Sequence, residues 1–348
     1  MYTYWSTACN CTGTFSARQN CVLLIAFYQW ENGSSVVLKS KLRFIAQLEL
    51  FEWIGIFASI AAAYIFFAYA GKLDSYAEMP GYHWHMLFVI LIIYGKFVPY
   101  AIAVGAASLF LVGYWMQRNK AETANRFWYT LRIFLAYCLL LIVFRVVNFY
   151  VPVLTPGLRD SVIQLMDKTL FGKQVSLWLE PISEHWLTNI LTGAYVSWFW
   201  LLFATILILS FASRRAASEY LLATLIAFYT GYACYILVPV IGPGFTMHYT
   251  TSLGDIAPAF TMNRAFIARD CFPSLHTATS ILMAIYIAKY QRKWLYFYAP
   301  MVTLIIFATL YLRIHYGSDD IAGAAMAVVV SGFTPFIFQK WEHIRSAK

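Results

Sequence analysis

Charge is scarce in this chain. Aspartate, glutamate, lysine and arginine make up 12% of its 348 residues, against 61% hydrophobic. A soluble domain of this size carries roughly a quarter charged residues, so a water-soluble globular protein is excluded. Cysteine is sparse as well. Cys9, Cys11, Cys21, Cys138, Cys234 and Cys271 contain no C-x-x-C pair, and Cys138 and Cys234 fall inside apolar stretches, which speaks against a metal framework or a disulfide scaffold. No soluble basic patch or module accompanies the formal net charge of +9, so that charge does not signal nucleic-acid binding. No small-residue cleavage pattern follows the short apolar run 22–28, so it does not resemble a signal peptide. No repeat of fixed period is present.

What fills the chain instead is apolar sequence long enough to cross a bilayer. A span needs about 20 mainly apolar residues. Eight stretches qualify: 51–70, 98–116, 127–149, 187–211, 219–238, 274–290, 296–313 and 320–338. Segment 86–95 is apolar but short, and is expected at the interface or only partly inside. The basic residues set the orientation. Lys39, Lys41 and Arg43, then Arg118, Lys120 and Arg126, then Arg214 and Arg215, then Lys289, Arg292 and Lys293, then Lys340, Arg345 and Lys348 all fall on one side of eight spans. That side is therefore cytoplasmic. Asp74, Asp160, Asp167, Glu180, Glu184, Asp255, Asp270 and Asp319 fall on the other.

The expected organisation is a polar amino-terminal segment (1–45), two additional spans (46–126), a six-span catalytic core (127–340) and a short cytoplasmic tail (341–348). One reading puts the natural start near Val36, leaving the basic Lys39-Ser40-Lys41 at the amino terminus. Two long outer loops interrupt the core. Loop 151–186 has helical apolar spacing at Val162, Leu165, Met166 and Leu170, which predicts an amphipathic helix along the outer face. Loop 239–273 opens with Pro239-Val240-Ile241-Gly242-Pro243-Gly244, which breaks the helix before it.

Two histidine motifs sit at the mouths of apolar segments, both on the outer side. In Pro273-Ser274-Leu275-His276, proline suits the first turn of a helix, so Ser274 and His276 fall at a helix amino terminus, where free N–H groups and the dipole attract anions. The bland alternative for this motif alone is a serine cap beside an interfacial histidine. In Arg313-Ile314-His315-Tyr316-Gly317-Ser318-Asp319, a helical turn would put His315 and Asp319 on one face. A carboxylate on one imidazole nitrogen fixes the tautomer and frees the other nitrogen to attack. Arg313 offers a planar fork for phosphate oxygens. An interfacial ion pair is the bland alternative here, and two such motifs on consecutive re-entries of the chain argue against it.

These residues resemble the type-2 phosphatidic-acid phosphatase superfamily, whose signature runs K-x6-R-P, then P-S-G-H, then S-R-x5-H-x3-D. Pro273, Ser274 and His276 match the second part, with Leu275 in place of glycine, and His315 and Asp319 match the third. The resemblance covers about 130–340. The P-S-L-H and Tyr311-Leu312-Arg313-x-His315-Tyr316 forms are similar to the branch containing fungal inositol-phosphorylceramide synthase. Two positions depart. The family arginine would fall at Thr309, and Arg313 lies four residues on, one helical turn along. No K-x6-R-P is present, so Arg264 and Arg269 are the nearest stand-ins, a salt bridge to Asp270 being the alternative for Arg269.

The resemblance implies an all-α polytopic membrane protein with a six-helix phosphatase-type core. It implies a metal-independent, cofactor-free phosphoryl transfer on a lipid phosphate or diphosphate. His315 would be the nucleophile, Asp319 its partner and His276 the general acid and base, with Arg313, Ser274, Arg269 and Arg264 around the phosphate. Hydrolase and alcohol-accepting transferase differ only in what reaches the phosphohistidine. The expected location is a bacterial plasma membrane, with the site extracytoplasmic and both termini cytoplasmic. A transporter is the main rival class, but its ionisable groups would lie near the midplane rather than at one face. A silent scaffold would not need His276, His315 and Asp319 together. Elsewhere, His83-Trp84-His85 reads as an interfacial belt, and Arg132 and Arg145 as side chains snorkelling to the interfaces.

Overall fold

In lipid, a segment has to satisfy its own backbone hydrogen bonds, and helices are the economical answer for a chain this apolar. The structure, a computed structural model, describes residues 48–92, 120–253 and 268–346. The chain divides into residues 1–49, almost wholly outside that set, and Leu50–Lys348. The predicted span 98–116, the proposed start near Val36 and Arg264 lie outside the described residues.

The helices that position the site are α1 (Leu50–Ala68), α2 (Lys120–Leu154), α3 (Asp160–Phe171), α4 (His185–Ala212), α5 (Arg214–Leu237), α6 (Leu275–Tyr290), α7 (Leu295–Tyr311) and α8 (Gly317–Ser346). Among the described residues, six helices are long and apolar enough to cross a membrane. They are α1, Trp128–Leu154 within α2, α4, α5, Arg292–Tyr311 and Gly317–Arg345. Each coincides with a predicted span. The protein is thus an all-helical, multi-pass membrane protein.

The stretch 274–290 also forms its helix, α6, but with 16 residues it is shorter than a usual span. Its neighbours explain how it is tolerated. It packs against α4, α5, α7 and α8, and Thr277, Ala278, Thr279, Ser280, Leu282, Met283, Tyr286 and Ile287 are buried. Helix α5 is the most enclosed of the spanning helices, with 61% of its apolar window buried. Ala216, Ala223, Ala227 and Gly231 are among its buried residues. Small side chains of this kind let neighbouring backbones approach where no hydrophobic force drives association.

The predicted amphipathic helix is α3, and its polarity is the reverse of a soluble one. Val162, Leu165, Met166 and Leu170 are exposed, whereas Asp160, Ile163 and Asp167 are buried. It ends at Gly172, in the left-handed region at φ 76°, where the cap N–H donates to Lys168 O. Downstream, Val240 and Asp270 form a parallel bridge, and Cys271 N donates to Val240 O at 3.2 Å. Gly242, at φ 96°, touches the turn after α7 so closely that a Cβ there would lie 2.5 Å from Ile314 O.

Two of the sequence readings are sharpened by pairing. Arg132 donates its Nε to Glu52 of α1 at 2.7 Å, so its charge is matched within the bundle rather than simply reaching for water. His83 Nδ1 lies 2.7 Å from Asp74 Oδ1. That carboxylate also accepts from the backbone of Gly81 and His83.

Candidate active site

His315 is placed by a tight reversal between two helices. Helix α7 stops at Tyr311. Arg313 then adopts φ 63°, a left-handed conformation uncommon outside glycine. The backbone N–H groups of Ile314 and His315 both donate to Thr309 O, at 2.9 and 3.1 Å, which folds the turn back on the helix end. Helix α8 starts at Gly317 and delivers Asp319, whose Oδ2 accepts from Tyr316 N at 2.8 Å. His315 Nδ1 lies 3.6 Å from that same oxygen, both residues being buried. This is longer than a direct hydrogen bond. The Cys271 thiol lies against the pair, 3.3 Å from Nδ1 and 3.0 Å from Asp319 Oδ2.

The opposite nitrogen of His315 faces the second histidine. His315 Nε2 and His276 Nδ1 are 3.5 Å apart. His276 stands in the first turn of α6, which Ser274 caps by accepting from Thr277 N at 3.2 Å. Two rings of α4 hold its imidazole, Tyr195 at 4.6 Å and Trp198 at 4.3 Å between centroids. Trp198 Nε1 in turn donates to Thr279 Oγ1 at 2.9 Å, fixing α4 against α6.

Helix α3 clamps this assembly from outside. Asp167 accepts from Gly317 N at 3.0 Å, from Ser318 N at 2.7 Å and from the Ser318 hydroxyl. It thereby satisfies free N–H groups at the start of α8 and suits the positive end of its dipole. Asp160, one helical repeat earlier, accepts from Gly242 N at 3.0 Å, from Ile241 N at 3.2 Å and from Tyr316 Oη at 3.1 Å. Burial pushes the Asp160 carboxyl above its ordinary range despite those donors.

Residues 161–333 match the PAP2 superfamily. This chain belongs to it. No curated protein and no solved structure matches the chain.

His276, His315 and Asp319, the three expected catalytic residues, stand together. Of the expected phosphate-holding residues, the described ones, Arg313, Arg269 and Ser274, are engaged elsewhere. Arg313 does not continue the α7 face past Thr309, because the chain leaves the helix first. Its guanidinium lies 3.7 Å from the centre of the Tyr249 ring and donates from Nη2 to Thr251 O at 2.8 Å. Arg269 donates from Nη1 to Thr155 O and Pro156 O, at 3.1 and 2.9 Å. Asp270, the ion-pair partner considered for it, instead accepts from Asn148 Nδ2 at 2.9 Å. The Ser274 hydroxyl is fully buried in its cap.

At Thr309, where the superfamily arginine would fall, the hydroxyl donates to Asp320 Oδ2 at 2.9 Å, and Thr277 donates to Oδ1 at 2.6 Å. A buried carboxylate thus occupies the region expected to hold a cation. Sequence reasoning missed Asp320, Cys271, Tyr195, Trp198, Asp160 and Asp167. Asp160 and Asp167 carried a usable signal, since they share a helical face opposite the apolar stripe of α3.

Burial alone would lower the pKa of His315, but the adjacent Asp319 carboxylate and the charges of Asp320 and Asp270 outweigh it and hold the imidazole above its usual 6.5. A nucleophilic histidine has to be unprotonated. Activity is therefore expected to fall as pH drops through a midpoint above 6.5, measured as the acid limb of kcat/KM. A midpoint below that value would contradict the placement of these carboxylates. Cys271, His315 and Asp319 also form a compact group of potential metal ligands, with ligand atoms within 4.8 Å of one another.

Proposed function

We propose that this protein is a lipid-phosphate phosphatase or phosphotransferase that works through a phosphohistidine, with 127–340 as its catalytic core. The observation that carries this is the His276–His315–Asp319 alignment. One imidazole nitrogen of His315 faces a carboxylate and the other faces a second histidine. His315 Nε2 attacks phosphorus while the P–O bond to the leaving alcohol breaks, and His276 supplies the proton that alcohol needs. His276 then takes a proton from water or an acceptor hydroxyl, whose oxygen attacks phosphorus as the P–N bond breaks. The 3.5 Å between the two imidazoles leaves no room for a phosphoryl group. Substrate entry on this reading parts them, with His276 moving against Tyr195 and Trp198.

Within this function, the carboxylate of Asp320 beside Thr309 favours a particular charge state. A buried negative group repels a dianionic monoester more than a singly charged diester. Transfer of a headgroup phosphate from a phosphodiester lipid to an alcohol, such as inositol-phosphoryl transfer, is therefore the second reading. Both are tested by incubating purified protein with phosphatidic acid, an isoprenyl diphosphate, or phosphatidylinositol plus an alcohol acceptor, and identifying the products by mass spectrometry. Cleavage of the first two and not the third favours the phosphatase, and the converse favours the transferase. No P–O cleavage in any arm sinks the proposal.

The proposed location is the plasma membrane, with both termini cytoplasmic and the site outside, as the basic clusters argue. Lys173 and Lys293 are exposed, on opposite sides of this topology. In protein keeping Cys271 as its sole native cysteine, Lys173→Cys is expected to react with an impermeant maleimide on intact cells, and Lys293→Cys is not. The reverse pattern would put the chemistry on the cytoplasmic leaflet.

A further inference from the structure

One buried group at the centre of the site has no part in the mechanism above. Cys271 is 4% exposed. Its Sγ lies 3.1 Å from Ile314 O, 3.0 Å from Asp319 Oδ2 and 3.3 Å from His315 Nδ1. The direct path from Nδ1 to Oδ2 is the longest of the imidazole's two options, at 3.6 Å. Sulfur tolerates longer hydrogen bonds than oxygen and can both donate and accept. The backbone holds the thiol there. Cys271 N is tied to Val240 O, and the bare Gly242 lets the turn carrying Ile314 close over the sulfur.

The proton inventory fits a bridge. At 3.0 Å from Asp319 Oδ2 the Cys271 thiol is placed to donate its proton to that oxygen. Asp319 Oδ1 is buried without a hydrogen-bond partner among the described residues, so Oδ2 carries this carboxylate's contacts. We infer that Cys271 is a positioning residue that couples Asp319 to His315. Nδ1–H donates to the sulfur, and S–H donates to Asp319 Oδ2. The relay fixes the tautomer that leaves Nε2 free, and it spreads the positive charge that appears on His315 when phosphorus bonds to it. No net proton or electron leaves the cysteine.

The inference rests on the phosphohistidine reading and is tested on full-length protein in lipid nanodiscs, with orthovanadate as a mimic of pentacoordinate phosphorus. Vanadate affinity is measured against pH for wild type, Cys271→Ala and Cys271→Ser. The groups facing His315 are Asp319 and Asp320 from α8, Asp270 and Cys271 from the preceding segment, and His276 from α6. Only Cys271 changes between the proteins. Cys271→Ala is expected to bind about tenfold more weakly, the scale of one lost hydrogen bond to a charged group. Its acid midpoint should shift relative to wild type. Cys271→Ser, which can still donate and accept, should recover most of both.

Wild-type behaviour in Cys271→Ala overturns the inference, since Asp319 would then reach the ring unaided. Equal weakening in both variants also overturns it, by assigning the sulfur to packing alone. Absence of vanadate binding in wild type takes down the phosphohistidine reading and this inference together, whereas the two preceding failures leave that reading standing.

Discussion

Replacing His315 by glutamine is expected to remove phosphoryl transfer almost completely, by roughly three orders of magnitude or more, because no other group replaces the attacking nitrogen. Glutamine is the better probe than alanine. His315 is only 3% exposed, so alanine would open a hole beside the buried Asp319 and confuse folding with chemistry. The measurement is phosphate or headgroup release from the lipid that wild type uses, alongside a thermal unfolding profile. Substantial turnover in well-folded His315→Gln would remove this histidine from the nucleophile's role.

The second large effect is expected at a residue that touches no substrate. Asp167→Ala strips the acceptor from Gly317 N, Ser318 N and the Ser318 hydroxyl, all buried against α3. Leaving such donors unpaired costs about 1–3 kcal/mol each, reduced where water can enter. A fall in Tm of roughly 5–10 °C follows for a chain of this size. Turnover should fall with it, because the same bonds set the start of α8, two residues before Asp319. Asp167→Asn keeps one carbonyl oxygen and should lie between. If Asp167→Ala unfolds and turns over like wild type, the α3 clamp has no bearing on the catalytic turn.

The contrast between these two residues marks what was legible in the sequence. His315, His276 and Asp319 stood out because ionisable groups at the ends of apolar helices are costly and need a reason. The spans were legible for the same cause, since the bilayer leaves few ways to satisfy a backbone. Asp167 was passed over because an acid in an outer loop looks solvated until the fold buries it, although its place opposite the apolar stripe of α3 was readable. Arg313 was misplaced because a helical period was carried past Tyr311, where the chain had already turned. Tyr195 and Trp198 were indistinguishable from the many aromatic residues that face lipid. Cys271 lies within three residues of Ser274, yet nothing in its spacing tells that its sulfur meets a carboxylate some fifty positions away.

The inverted polarity of α3 bears on how such an enzyme would meet its substrate. Val162, Leu165, Met166 and Leu170 face outward, while Asp160 and Asp167 hold the turn bearing His315. On the proposed reading, a helix with this stripe rests in the same leaflet as the lipid it helps to process. Encounter then happens by lateral diffusion in two dimensions. The variable that governs rate becomes the mole fraction of substrate in the surface, and molarity in the surrounding solution loses its meaning. Adding inert detergent at constant total substrate would slow the reaction by surface dilution alone, with every residue of the site unchanged.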